Sequence, residues 1–174
     1  MPPDDCNDGE APASSVVDLG RLAPDFYELN IDLKNTVFSN GQLSIYNDRY
    51  KVNMDTEEGI IFLRRELLRV PPQTIWGYIG FQDSADQMIA NDFIDDVAAL
   101  GNKQTYNSGY YGYFNITSEG KVNMDHAFTS ENAKTFLLEY TGEDSELQNL
   151  ANTYRSTYGD AIELKIFTHR GKEY

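Results

Sequence analysis

Asp92, Asp95 and Asp96, spaced three and four apart, and the tyrosines around Tyr111 and Tyr113 are this chain's best candidates for recognition chemistry. On a helix that spacing gathers the three carboxylates on one surface region. There they could hold a cation or face a basic protein, although most such runs are simply the solvated side of an amphipathic helix. A divalent ion would also need oxygen ligands converging from elsewhere in the fold.

The aromatic residues Tyr106, Tyr110, Tyr111, Tyr113 and Phe114, with Trp76, Tyr78 and Phe81, form the second candidate. Both odd and even positions are aromatic over 110–114, so a strand there turns at least one tyrosine toward each face. Exposed tyrosines supply contact area at low entropic cost and suit protein or sugar surfaces. A sheet covered on both sides would instead bury all of them.

Other chemistries are poorly provided for. The two histidines, His126 and His169, have no ligand partner at metal-binding spacing. Cys6 is the one cysteine, so no internal disulfide framework exists. No nucleophile elbow, phosphate-binding loop or dinucleotide fingerprint occurs. The reading therefore assigns no catalytic residue, no metal and no cofactor.

The net charge of −14, from 28 acids and 14 bases, is spread along the chain. It repels phosphate backbones and anionic lipid, which argues against direct nucleic-acid binding. It suits a partner with a basic surface. No apolar run long enough to span a bilayer and no signal-like start is found. The expectation is no membrane insertion, and a cytoplasmic or particle-associated protein rather than a secreted one.

Positioning these residues is the task of a 174-residue chain, enough for one domain. Residues 1–15, rich in Pro, Asp, Gly and Ser, are expected to form a flexible acidic arm, with residues 16–174 as the domain. Within it the pentapeptide Lys51-Val52-Asn53-Met54-Asp55 recurs as Lys121-Val122-Asn123-Met124-Asp125. A leucine pair follows each at equal spacing, Leu67-Leu68 and Leu137-Leu138, which suggests an internal repeat.

Alternation predicts a strand at 26–33, a turn at Asn40-Gly41, and a hairpin returning through Tyr50, Val52 and Met54. Asp55, with Glu57 and Glu58, is then expected to open a helix carrying Ile60, Leu63 and Leu67, stopped by Pro71-Pro72. A strand over 74–81 and a helix from Ser84, ended by Gly101 in a left-handed conformation, complete the first unit. The second unit opens on a hairpin over 110–124. A helix from Ser130 carrying Ala133, Phe136, Leu137 and Tyr140 follows, then a helix over 144–158 and a closing strand.

The expected fold is α+β: an antiparallel or mixed sheet with about four helices, in two divergent hairpin–helix units over about 42–100 and 110–169. The order hairpin, helix, strand, helix over 42–100 resembles the soluble domain of biopolymer-transport accessory proteins. No motif is shared, and the resemblance implies no site. The expected function is a non-catalytic protein-binding module, such as an inhibitor, an immunity protein or a small subunit of an assembly like a virus particle. Asp92, Asp95, Asp96, Tyr111 and Tyr113 would make the contacts. The alternative is a carbohydrate-binding or carbohydrate-active protein, with tyrosines stacking on sugar above a carboxylate pair.

Overall fold

The structure, a computed structural model, describes residues 22–33, 37–56, 59–125 and 129–174. The expected N-terminal arm, Cys6, His126 and the helix-opening Glu57 and Glu58 lie outside the described residues. In chain order the elements are β1 (Phe26–Leu33), β2 (Val37–Ile45), β3 (Arg49–Met54), β4 (Glu66–Leu68) and β5 (Thr74–Phe81). Then come α1 (Gln87–Leu100), β6 (Gly109–Tyr110), β7 (Phe114–Ile116), β8 (Val122–Met124), β9 (Asn132–Glu139), α2 (Asp144–Tyr158) and β10 (Ile162–Thr168).

The centre is a three-stranded antiparallel sheet ordered β10-β5-β9. All eight residues of β5 are buried, because both faces of this sheet are covered. On one face Ile75, Ile79 and Phe81 meet Phe93 and Val97 of α1 and Leu147 and Ala151 of α2. On the other face Trp76 meets Tyr111, Phe114 and Ile116 of a small sheet ordered β6-β7-β8. Trp76 stacks on Phe167 of β10, with ring centroids 5.9 Å apart. The body is thus three layers: helices, central sheet and small sheet.

Glu163, near the start of β10, ties that strand to β5 and to the segment leading into β9. Its carboxylate accepts hydrogen bonds from the Tyr78 hydroxyl (2.6 Å), the Thr129 amide (2.9 Å) and the Thr129 and Ser130 hydroxyls. Partial burial works to raise its pKa, but these donors outweigh it and hold the group at about 2.

The remaining four strands form a separate antiparallel sheet ordered β1-β2-β3-β4. Its packing against the body is concentrated where β4 lies beside β6. Gly109 faces Leu68 there, and the Arg64 guanidinium sits 3.6 Å above the Tyr110 ring. β1 is the outer edge, and no described strand pairs with its far side.

Several expectations need correction. The α+β class holds loosely, but the described residues form two α-helices rather than about four, and ten strands in three antiparallel sheets. The helix expected after Asp55 does not form. Gly59 takes φ 75°, Ile61 and Leu63 stand in solvent, and Leu67 pairs across from Tyr50 in β4. Ladder bonds from the Val52 amide to Arg65 and from the Arg69 amide to Asp48 use the backbone groups a helix would need.

The helix expected from Ser130 is β9. A strand covered on both faces carries apolar residues at both parities, so Phe136, Leu137 and Tyr140 mimic helical spacing. Phe136 and Leu138 in fact face the helices, while Leu137 faces Trp76. Asn40-Gly41 is no turn. Both residues sit inside β2, where Gly41 leaves room for Met54, whose sulfur would lie 2.6 Å from a Cβ. Gly101 is extended (φ −126°) rather than left-handed, and is small because the Glu139 carbonyl oxygen would lie 2.8 Å from a Cβ.

Both copies of the pentapeptide lie on the returning strand of a hairpin, β3 against β2 and β8 against β7. The likeness stops there. Neither hairpin feeds a helix, which overturns the hairpin–helix units. Leu67-Leu68 belongs to a short strand beside β3, whereas Leu137-Leu138 lies in the central sheet beside β5.

Candidate functional site

The residues singled out for recognition fall on opposite sides of the body. Asp92, Asp95 and Asp96 are exposed on α1, on the helical face of the central sheet. Asp96 accepts a hydrogen bond from the Tyr154 hydroxyl (2.7 Å), fastening α1 to α2. Burial, reinforced by that carboxylate, pushes the Tyr154 phenol well above its ordinary pKa. Tyr111 and Tyr113 belong to the small-sheet side. Tyr111 is 5% exposed, stacked on Phe114 with its hydroxyl donating to the Asn107 carbonyl. Tyr113 is 54% exposed, its ring 5.4 Å from Trp76. Trp76, Tyr78 and Phe81 are interior. The aromatic cluster is mainly core, with Tyr113 as its exposed member.

Apolar exposure concentrates elsewhere. Phe26 (60% exposed) and Phe38 (63%) lie on one face of the first sheet, opposite Ser44 and Asp32 respectively. Tyr46 meets the Phe26 ring edge-on at 6.1 Å. In the connection from β3 to β4, Ile61 is 87% and Leu63 91% exposed. These side chains are spread over β1, β2, the β2–β3 turn and the β3–β4 connection, and open apolar groups of this size mark contact surfaces when they form a patch. The same sheet has β1, eight residues long, at its edge, with no described strand on its far side. Such an edge can take a further strand, and proteins that do not use theirs usually blunt it.

Sequence reasoning placed Phe26 on a half-buried strand and overlooked it. The available signal was parity: Leu29, Ile31 and Leu33 are odd, so Phe26 belongs to the opposite face. Ile61 and Leu63 were absorbed into a helix that does not form.

No protein-family model, curated protein or solved structure matches this chain.

The seam between the first sheet and the body holds a half-open cavity of about 810 Å³. Asp48, Tyr50, Leu68 and Arg69 line one side, and Pro71, Pro72, Tyr106 and His169 the other. His169 is oriented by its neighbours. Its Nδ1 accepts the Gln73 amide hydrogen (3.1 Å), so the neutral ring carries its proton on Nε2. Burial, then the nearby Arg170 charge, lowers its pKa and favours that neutral form. Gln73 has φ 63°, a left-handed conformation that costs a non-glycine residue of order 1 kcal/mol. Tyr106 lines the cavity, and its buried hydroxyl, like that of Thr74, makes no well-formed hydrogen bond.

Among the described residues no group of three or more His, Cys, Asp or Glu side chains is placed to hold a metal ion. No helix among them is long and apolar enough to cross a membrane.

Proposed function

We propose that this protein is a non-catalytic docking module that binds another protein through its first sheet. The observation that carries the reading is the concentration of exposed apolar side chains on that sheet and its following connection. Phe26, Phe38, Tyr46, Ile61 and Leu63 are exposed there, whereas the exposed large apolar side chains described on the body are Met88, Leu100 and Tyr113. The open β1 edge would supply main-chain hydrogen bonds to a partner strand, and the flanking aromatics would supply contact area. A sheet offering both suits a small subunit of a larger assembly, and an inhibitor or immunity protein would use the same surface.

The charge of −14 steers a basic partner toward the chain, with Asp92 and Asp95 contributing to its long-range field. The carbohydrate reading has weaker support. Asp48 and Glu66 share a shallow depression with Tyr46, but Arg49 is ion-paired to both carboxylates, at 2.8 and 2.9 Å.

The test is capture from the source cell with three baits: the natural chain, Ile61→Ser/Leu63→Ser/Phe38→Ser, and Asp92→Asn/Asp95→Asn. All three substituted apolar side chains are exposed, so folding should survive, and circular dichroism checks it. The apolar triple variant is expected to lose at least about tenfold in affinity for the partner the natural chain retains. The aspartate variant is expected to keep its affinity and lose association rate, with less sensitivity to salt. Retention of the partner by the folded triple variant at unchanged affinity would refute the docking surface.

A further inference from the structure

The first sheet accounts for the exposed apolar residues, but not for the cavity at its seam with the body. Three features converge there independently of the docking surface. One is a histidine whose tautomer is set by a backbone amide, leaving Nε2–H as the ring's donor on a residue that lines both this cavity and the smaller hollow beside Asp144. The second is an arginine without a local counter-charge. Arg69 donates to the Tyr46 carbonyl (3.2 Å) and lies 5.4 Å from the Tyr50 ring centroid. The ion pairs among the described residues leave it no carboxylate. This is notable in a chain with twice as many acids as bases. The one acid on the cavity wall, Asp48, is held by Arg49, whose hydrogen bonds keep its carboxyl below the usual range.

The third feature is the wall itself. Tyr50, Tyr106, Leu68, Val70, Pro71 and Pro72 supply flat and apolar surface. The strained Gln73 backbone next to Pro72 is what turns its amide onto His169. The positive φ belongs to the turn from Pro71 to Thr74, in which the Thr74 amide donates to the Pro71 carbonyl (3.4 Å) and Gln73 takes the third position. A half-open cavity of this volume, with polar and apolar lining in equal measure, has room for a small organic molecule that sets its ring on the apolar side and its polar group on the other.

We propose that the seam cavity is a binding site for a small ring-bearing organic anion, its charged group met by Arg69 and the Nε2–H of His169. The ring lies against the tyrosine and proline walls. An arginine presents its donors in a planar fork that matches carboxylate and phosphate oxygens alike. The neutral imidazole adds a single donor without demanding a proton from solvent. Because Leu68 and Arg69 come from the first sheet's end and His169 from the body, occupancy bridges the two.

The test is a titration of the full-length, isotope-labelled chain followed by nuclear magnetic resonance, with benzoate, its neutral isostere benzamide, and inorganic phosphate as probes. Benzoate is expected to give saturable shifts at residues 68–73, 104–107 and 169, including the His169 Nε2 resonance. Benzamide should bind about tenfold more weakly or worse, since it lacks the charge-assisted hydrogen bonds. Phosphate should shift Arg69 and His169 with lower affinity than benzoate, because it cannot use the ring walls. Arg69→Gln should reduce benzoate affinity by about tenfold while leaving benzamide unchanged. Equal affinities for benzoate and benzamide, or benzoate shifts confined to residues outside the cavity, would overturn the assignment. The comparison of probes on the natural chain decides the matter even if the variant folds poorly.

Discussion

Replacement of Phe93 by alanine is expected to destabilise the protein by about 3–5 kcal/mol, the range for removing a fully buried ring from a core. Phe93 is completely buried on the face of α1 that packs on the central sheet. Its ring meets Tyr154 of α2 edge-on at 5.0 Å and Phe136 of β9 at 6.0 Å. One side chain therefore holds both helices and a strand, and the void left behind would be lined by residues fixed on three elements. Urea denaturation of the variant against the natural chain measures the cost. A loss below about 1 kcal/mol would mean the three elements collapse onto the gap, which a core packed as described does not permit.

Gly77→Ala is expected to cost about 3 kcal/mol, toward the upper end for overpacking a core, although alanine is ordinarily the better-tolerated residue within a strand. Gly77 sits in the middle of β5, between Ile166 of β10 and Phe136 of β9. A Cβ there would collide with the Lys165 carbonyl oxygen and come within 2.7 Å of the Phe136 ring. The ring could swing, but the carbonyl belongs to the neighbouring ladder and cannot move without breaking it. The same denaturation experiment applies, and a neutral or stabilising alanine would show that β10 lies further from β5 than described.

What was legible in the sequence was whatever had a one-sided signal. α2 shows a clean helical stripe of Leu147, Leu150, Ala151 and Tyr154, ended by Gly159 at φ 52°, and it forms where expected. The hairpin β2–β3 shows strict alternation on its returning strand and forms; the second hairpin forms as β7–β8, but the strand expected over 110–116 is broken into β6 and β7. β9 was misread because a strand buried on both faces loses its alternation, and Ala133, Phe136, Leu137 and Tyr140 fall at helical spacing. The segment after Asp55 was misread for another reason. Its three apolar positions matched a helix, yet Ile61 and Leu63 are not buried against anything described.

The same ambiguity governed the candidate site. Tyr111 and Tyr113 are two residues apart, yet one is core and the other surface, because β6 ends at Tyr110 and Gly112 takes φ 88° between them. Alternation cannot be read through such a bend. The His169–Gln73 bond joins positions 96 apart in sequence. No spacing rule could have found it, nor the cavity it borders.

The most direct measurement of the docking account is amide hydrogen exchange across the whole chain, alone and saturated with the captured partner. Alone, β5, β9 and β10 should exchange slowest, and the outward amides of β1 should exchange fast, as an open edge requires. With partner bound, new protection should appear in β1 and around residues 61–63, while the exposed face of α1 carrying Asp92 and Asp95 is unchanged. Protection confined to that helix face, with β1 exchanging as before, would contradict the account.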